Sequence, residues 1–194
     1  MNTKQIDATN IPLPENLEAL PEQSTNVPVN SIDEENKTVD IRAKGSFPAD
    51  VLSNLNHEER PFYVDGIRCH SIEGFLQSLK MPDRQMQIQS CKRSGAIARE
   101  CGQEFSLQWR ITQMLYWQGG TYARDSEEYQ QLVRKAFRAR FDHSERYREA
   151  LRATKGYTLL HTYGCDDPTQ TILTTQEFLT ILNELRDLLE PITS

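Results

Sequence analysis

The chain has few of the residues that would build a metal centre, a disulfide framework or a membrane anchor. It contains 4 cysteines and 4 histidines in 194 residues, and none has the CxxC or paired spacing typical of zinc ligands or a redox pair. No apolar run is long enough to span a bilayer, and the first residues show no signal-peptide pattern. We therefore expect a cytoplasmic protein with reduced thiols, without a metal, a cofactor or a membrane partner.

A basic excess is also absent. The 22 Lys and Arg side chains are outnumbered by 28 Asp and Glu, which gives a formal net charge of −6. Proteins that bind nucleic-acid backbones generally carry the opposite balance. The composition therefore argues against a general phosphate-backbone binder, while a local basic patch stays compatible with it.

Residues 1–37 differ in composition from the rest. They contain four prolines, no aromatic residue and no sustained hydrophobic periodicity. Such a segment buries too little apolar area to offset its ordering entropy. We predict a flexible N-terminal arm over 1–37 and one domain over 38–194; the alternative is that the arm docks in an extended form onto the domain or a partner.

The domain is predicted to be mainly helical. Helices are indicated over 86–101, with Gly95 inside, and over 105–116. Three more begin at capping signals, which are Asp125 with Glu128, Asp142 with Glu145, and Thr174 with Glu177. Extended segments over 39–43 and 157–163 complete an expected α+β fold, a mainly helical single domain with a small β-sheet.

The stretch from residue 62 to 80 carries the clearest local signals. Asp65-Gly66 separates two alternating apolar runs, 62–64 and 67–69, and this pair favours the positive φ angles of a type I′ hairpin turn. Ser71 is the predicted N-cap of the helix that follows. An apolar stripe on that helix would face the core.

A second stripe on this helix is polar. At 100° per residue, Glu73, Gln77 and Lys80 fall within about 60° of one another. The first helical turn favours an ionised carboxylate at Glu73, which suits a base, a nucleophile or a group that stabilises developing positive charge. Lys80 lies about 10 Å further along the axis, so the two could share a ligand without forming a tight salt bridge. The alternative is an ordinary amphipathic helix with a solvated polar face.

The order and spacing of these motifs resemble the NADAR family, also called YbiA-like. Its members show Ser-Asn-Phe, a hairpin, Thr/Ser-Val-Glu, Gln-Ala-x-Lys, a Trp-Gly region and Leu-x-x-Thr. The matching residues here are Ser53, Asn54, Ser71, Glu73, Gln77, Lys80, Trp117, Gly119, Leu151 and Thr154. The resemblance extends over residues 41–189.

The resemblance implies an N-glycosidase that cleaves the C1–N bond of an ADP-ribosyl or phosphoribosyl compound. Examples are ADP-ribosylated guanine, free or in nucleic acid, and a riboflavin-pathway intermediate. Such hydrolysis passes through an oxocarbenium-like transition state beside a carboxylate, a role implied for Glu73. Lys80 would bind phosphate or attack the opened sugar as an amine. Asn54 would bond the ribose, with Ser53 and Gln77 among the substrate-binding residues.

The loop from Trp117 to Asp125 is a second candidate region. Trp117 or Tyr122 would stack on a base near Gly119, and Arg124 would pair with phosphate. The alternative is a helix C-cap with its aromatic side chains in the core. Thr154 is a minor candidate, because the family has its Leu-x-x-Thr motif near the pocket wall.

Two further groups have a structural and a functional interpretation. Arg134, Lys135, Arg138 and Arg140 form either a solvated basic face or a phosphate-binding stripe on one helix. His161 lies in an apolar run and is interpreted as a core histidine.

One motif of the family is absent. Many members carry Asp-x-x-Trp-Gly, whereas this chain has HTYGCDDPTQTIL over 161–173, where Asp166 or Asp167 would stand in for the family aspartate. This departure keeps a non-catalytic ADP-ribose or nucleotide binder as the alternative function. A third hypothesis is an interaction module whose arm recruits a partner.

Overall fold

Residues 30–189 are described by a computed structural model, and they form a mixed domain of eight helices and seven short strands, which confirms the predicted α+β class. The helices are α1 (Ala49–Leu52), α2 (Ile72–Ser78), α3 (Arg84–Cys91), α4 (Gly95–Cys101), α5 (Ser106–Thr112), α6 (Glu127–His143), α7 (Glu145–Ala153) and α8 (Thr175–Asp187). The strands are β1 (Ile32–Asp33), β2 (Thr38–Asp40), β3 (Phe62–Val64), β4 (Ile67–Cys69), β5 (Met114–Trp117), β6 (Gly120–Ala123) and β7 (Thr158–Leu160). No helix among these residues is both long and apolar enough to cross a membrane.

A small sheet joins the start of the described chain to residues 158–160. Its strand order is β1-β2-β7, with β1 antiparallel and β7 parallel to β2, so that Val39 faces Ile32 on one side and Leu159 on the other. Strand β1 lies inside the segment predicted as a flexible arm, and Ile32 packs against the core. The fold therefore includes residues 30–37, and residues 1–29 of the predicted arm lie outside the described residues.

The hairpin strands and the N-cap of the helix after it are as predicted, but the helix ends at Ser78, so Lys80 lies just past it and not on it. Strands β3 and β4 pair around Asp65 and Gly66, whose φ angles of 47° and 78° are both positive, as a type I′ turn requires. Ser71 caps α2 by accepting a hydrogen bond from the backbone N–H of Gly74 at 2.9 Å. Every residue of α2 is buried, and the helix packs against α3, α4 and α6 at the centre of the domain.

Two predicted helices differ in the structure. The segment 86–101 is divided between α3 and α4, since Gly95 begins a new helix with a φ of +58°. The predicted helix over 105–116 ends at Thr112 because Gln113 adopts the left-handed conformation, with φ 54°. Residues 114–117 then form β5 and pair with β6.

Of the three predicted N-cap residues, one is correct and two are displaced along the chain. Thr174 and Glu177 form the predicted capping box of α8. Helices α6 and α7 are capped by Ser126 and Ser144, whose side chains accept from the third helical N–H, and not by the predicted Asp125 and Asp142. In each case a serine one or two residues after the aspartate has the capping position.

Candidate functional site

The polar side of α2 borders two adjoining cavities. The larger has a volume of about 650 Å³ and the smaller about 210 Å³, and the larger lies within the usual range of about 300–1,000 Å³ for small-molecule sites. Gln77 and Arg99 line both cavities. We refer to the two together as the cleft.

Glu73 lines the smaller cavity from the first turn of α2. Its Oε1 accepts a hydrogen bond from Nε2 of Gln77 at 2.9 Å, and Nε of Arg99 lies 3.8 Å from the same oxygen. Glu73 and Gln77 are each only 8% exposed, so the polar stripe of α2 is not a solvated face. The amide holds one carboxylate oxygen by a hydrogen bond, and the more exposed guanidinium adds a positive charge near the same oxygen.

Lys80 lines the larger cavity from a position just past the end of α2. Its Nζ donates to Oγ of Ser106 at 3.1 Å. Burial lowers the pKa of Lys80 to about 8; Arg110 adds to this shift and Glu73 opposes it. Lys80 is therefore mainly a cation at pH 7 and mainly a neutral amine above about pH 8.

The larger cavity is strongly positive although the chain is acidic. Its charged lining residues are Lys44, Lys80, Arg99, Arg110 and Glu100, four cations and one anion. They come from the loop before α1 and from the segments at α2, α4 and α5. Such a concentration of cationic donors suits an anionic ligand such as a phosphate or diphosphate, and it is the local basic patch that composition alone could not reveal.

A buried arginine, Arg140, holds the loop over 53–58 in place from the side of the core. Arg140 is fully buried, and its Nε donates to Oε1 of Glu58 at 2.6 Å. Its Nη2 donates to the carbonyl of Val51 at 2.9 Å and to Oδ1 of Asn56 at 3.2 Å. Arg140 thus organises the loop from inside the core and is not part of an exposed basic stripe.

The other cations of α6, the helix that carries Arg140, also have anionic partners. Arg134 pairs with Glu184 at 3.0 Å, Arg138 with Asp142 at 2.8 Å, and Lys135 with Asp65. The phosphate-binding interpretation of α6 therefore has no free cationic stripe to support it among the residues that the structure describes.

Ser53 and Asn54 connect this loop to α2. The carbonyl of Asn54 accepts the backbone N–H of Glu73 at 2.8 Å, and Asn54 lines the smaller cavity beside Glu73. Ser53 is buried, with its Oγ accepting from the N–H of Leu55 at 3.3 Å, so its hydroxyl supports the loop. The side-chain oxygens of Asn54 and Gln77 are buried without a hydrogen-bond partner within residues 30–189. Unpaired buried acceptors at a cavity are positions where a ligand donor would bind.

The far wall of the smaller cavity is the stretch that departs from the family pattern. His161, Tyr163, Gly164 and Cys165 line it, together with residues 171–175 and Phe178. Asp166 accepts the N–H of Gln176 at 3.0 Å, and Asp167 bonds Thr169. Neither aspartate lines the cleft, so the structure does not bring Asp166 to the predicted position.

The loop from Trp117 to Asp125 is a β-hairpin outside the cleft. Trp117 is 2% exposed, donates from Nε1 to Oδ2 of Asp65 at 2.8 Å and packs edge-on against Phe75. Gly119, with a φ of +86°, forms the turn, and Tyr122 lies on β6. The helix C-cap of the alternative interpretation is wrong, because residues 114–117 pair with 120–123, but its placement of the aromatic side chains in the core is right, since Trp117 belongs to the core and Tyr122 packs against it.

Arg124 and Thr154 have structural partners. Arg124 is 3% exposed and makes a two-pronged ion pair with Glu177, at 3.0 and 2.6 Å, which anchors the start of α8 behind the small cavity. Thr154 is fully buried, and its Oγ1 donates to the carbonyl of Leu151 at 2.8 Å. Neither side chain reaches the cleft.

Sequence reasoning identified the α2 side of the cleft and missed most of its other walls. Lys44, Arg99 and Arg110 have no local motif, because they converge only through the packing of separate elements. The break at Gly95 was the one usable signal for Arg99, since it opens α4. No group of three His, Cys, Asp or Glu side chains suited to a metal ion occurs in the described part of the chain.

Comparison with known proteins relates this geometry to a family and a fold. The family model described as "Bacteriophage protein GP30.3" matches residues 46–187. An Enterobacteria phage T4 protein, named "Uncharacterized 17.1 kDa protein in Gp30-rIII intergenic region", is 34% identical over 154 residues, which cover 77% of this chain and 97% of the phage protein. The NMR structure of the E. coli protein YbiA matches with a TM-score of 0.53 at 17% identity, covering 84% of this chain and 95% of YbiA. That likeness shows a shared fold.

Proposed function

This chain belongs to the Bacteriophage protein GP30.3 family, a NADAR-family domain, and from that membership and the geometry of the cleft we propose that it is an N-glycosidase. Its substrate class is an ADP-ribosyl or phosphoribosyl compound, such as ADP-ribosylated guanine, free or within nucleic acid, or a riboflavin-pathway intermediate. The reaction is hydrolysis of the C1–N bond. NADAR domains are broadly associated with glycosidase-like function.

One observation carries the proposal. A buried carboxylate, Glu73, lines a small cavity that adjoins a larger cavity rich in cations. A ligand whose phosphates bind Lys44, Lys80 and Arg110 would extend its ribose past Gln77 and Arg99 towards Glu73. This arrangement suits a substrate whose phosphates bind in the larger cavity and whose C1–N bond lies beside Glu73.

The cleft residues supply the chemistry of such a cleavage. Glu73, which accepts a hydrogen bond from Gln77 and lies 3.8 Å from Nε of Arg99, stabilises the positive charge that develops at C1 or removes a proton from the attacking water. Asn54 and Gln77 offer unpaired acceptors to ribose hydroxyls. Lys80 binds phosphate as a point charge, or acts as an amine on the opened sugar once it has lost its proton.

The substitution Glu73→Gln tests the catalytic assignment. Gln keeps an oxygen that can accept from Gln77, so the cleft should keep its shape, while the negative charge is lost. We expect kcat on ADP-ribosylated guanosine to fall by about 100-fold or more, with the Kd for ADP-ribose changed by only a few-fold. Glu104→Gln, an exposed residue outside the cleft, is the matched control and should leave both values unchanged. Unchanged turnover in Glu73→Gln would exclude Glu73 as the catalytic carboxylate.

A non-catalytic ADP-ribose or nucleotide binder is the second candidate function. The observation that favours it is the far wall of the small cavity, where His161 to Cys165 replace the family's Asp-x-x-Trp-Gly. A binder would return ADP-ribosylated guanosine unaltered after prolonged incubation and would still bind ADP-ribose in calorimetry. An enzyme would release guanosine in the same incubation.

A further inference from the structure

The histidine on the far wall of the small cavity is held in one orientation. Nδ1 of His161 lies 2.8 Å from the carbonyl oxygen of Ile41, and the ring packs edge-on against Phe178 at a centroid distance of 5.2 Å. Since a carbonyl only accepts, Nδ1 carries the proton of this hydrogen bond. The other nitrogen, Nε2, is therefore the one that can exchange a proton with a ligand.

The free edge of this ring faces the cavity wall. A Cβ added at Gly164 would stand 2.8 Å from Cδ2 of His161, which shows that the Cδ2–Nε2 edge lies on the side of Gly164, another lining residue. Within residues 30–189, Nε2 has no hydrogen-bond partner, whereas Nδ1 has one. The ring is thus anchored at one nitrogen and available at the other.

An exposed aromatic ring stands beside this histidine. Tyr163 is 79% exposed although it lines the small cavity, and the guanidinium of Arg42 lies over its ring at 5.2 Å. Exposed tyrosines at the mouth of a cavity are suited to stacking on planar ligands. The small cavity therefore combines a flat apolar surface with one available ring nitrogen.

We propose that the small cavity holds the leaving nucleobase, with Tyr163 as its stacking surface and His161 Nε2 as the proton donor to its departing nitrogen. The inference rests on the proposed N-glycosidase function and divides the substrate between the two cavities. Phosphates occupy the cationic cavity, the ribose lies beside Glu73, Gln77 and Arg99, and the planar base occupies the wall from His161 to Cys165. The substrate class is then a heteroaromatic N-glycoside, in which the leaving group is a nucleobase.

The proton balance of this step is complete. The C1–N bond breaks with its electron pair on the base nitrogen, which takes the proton from Nε2 of His161. A water molecule forms the new C1–O bond and gives its proton to Glu73. Glu73 then releases that proton to solvent and His161 regains one, so the net reaction adds one water across the C1–N bond.

Several charged or ionisable groups lie on the same cavity or next to His161 in the chain. Glu73 and Arg99 line the same cavity, and Cys165 is exposed on the same wall. Asp40 accepts from the N–H and hydroxyl of Thr162 at 3.1 and 2.7 Å and pairs with Arg42.

The substitution His161→Asn tests the proton donor. The amide of Asn can still donate to Ile41, so the wall is retained while the transferable proton is lost. We expect kcat on ADP-ribosylated guanosine to fall by about 100-fold or more, with the Kd for free ADP-ribose unchanged. His161→Gln provides a second variant, and His143→Asn, at the exposed end of α6, is the matched control. A kcat within three-fold of wild type, or an equal loss of ADP-ribose binding, would overturn the assignment.

The substitution Tyr163→Ala tests the stacking surface. We expect KM for ADP-ribosylated guanosine to rise by about 5- to 100-fold, and Tyr163→Phe to behave as wild type. The Kd for ADP-ribose should stay unchanged in both, because that ligand has no base in this cavity. An unchanged KM in Tyr163→Ala would contradict the proposed subsite.

If wild-type protein releases guanosine while the His161 and Tyr163 variants behave as wild type, the inference fails and the N-glycosidase function stands. If wild-type protein releases nothing, the function itself fails.

Discussion

Because Lys80 is partly buried, its charge changes with pH just above neutrality. Its pKa is lowered to about 8 by burial first, with Arg110 contributing and Glu73 opposing. Because a lysine loses its positive charge above its pKa, Lys80 is a phosphate-binding cation below about pH 8 and an amine nucleophile above it. Phosphate binding by Lys80 would weaken as the pH rises, whereas nucleophilic attack by Lys80 would become faster. The direction of the pH effect therefore distinguishes the two roles.

If Lys80 binds phosphate, the affinity for ADP-ribose falls as the pH rises from 7 to 9. A hydrogen bond between charged groups contributes about 1.5–3 kcal/mol, so complete loss of the cation would weaken binding about 10- to 100-fold, and a pKa of about 8 allows up to about 10-fold of this between pH 7 and pH 9. Lys80→Met should bind weakly at both pH values, and the exposed Lys92→Met should follow wild type. Isothermal titration calorimetry at the two pH values provides the measurement. A constant Kd together with turnover that rises over the same interval would assign Lys80 to the nucleophilic role.

The ion pair between Glu58 and Arg140 supports the loop over 53–58. Glu58 is 8% exposed and Arg140 fully buried, and the arginine also stacks over Tyr147 at 4.2 Å. Removing one member leaves the other as an unpaired buried charge, which costs about 3–5 kcal/mol. Loss of this pair would also release the loop that carries Asn54 and Asn56 into the cleft.

Arg140→Met should therefore lower the free energy of unfolding by about 3–5 kcal/mol in urea denaturation at pH 7. Replacing the partner as well, in Arg140→Met/Glu58→Leu, should recover part of that loss because no charge is left buried. The control is Arg138→Met, whose pair with Asp142 is exposed, and its effect should stay below about 1 kcal/mol. Equal effects of the two single substitutions would contradict a structural role for the buried pair.

Elements set by adjacent residues were predictable from the sequence. The turn at Asp65-Gly66, the N-cap at Ser71 and the capping box at Thr174 each involve groups three or fewer residues apart, and each has the predicted form. The segment 105–116 could not be read this way. Its helical periodicity is overridden at Gln113, where the chain turns into a strand that pairs with residues further along.

The same distinction applies to the cleft. Glu73 and Gln77 were found because they share one helix, whereas Lys44, Arg99 and Arg110 converge only through tertiary packing. Trp117 and Arg124 were candidates for nucleotide contact because of the residue types in their loop and, for Trp117, the family resemblance. Their side chains instead bond Asp65 and Glu177, two partners more than fifty residues away that no local pattern could indicate.

At the scale of the molecule, the cleft is assembled from segments spread along the chain. Its lining runs from Ala43 in the loop before α1 through α2, α4 and α5 to Phe178 on α8. A ligand that contacts all of these segments binds only the folded state, so its binding free energy adds to the stability of the whole domain. An interaction module with an empty cleft would gain nothing from the same ligand.

ADP-ribose at one hundred times its Kd should therefore stabilise the fold by about 2.7 kcal/mol, which raises Tm by about 5–10 °C for a domain of this size. Adenosine at the same concentration lacks the phosphates and should give a smaller shift. Arg110→Gln should reduce the shift with ADP-ribose, since it removes one cation of the larger cavity, while Arg134→Gln, paired with Glu184 away from the cleft, should not. The shift should also shrink with added salt, because salt screens the attraction between phosphate and cation. Differential scanning fluorimetry measures all four comparisons, and an unchanged Tm at saturating ADP-ribose would leave the interaction module as the function that fits.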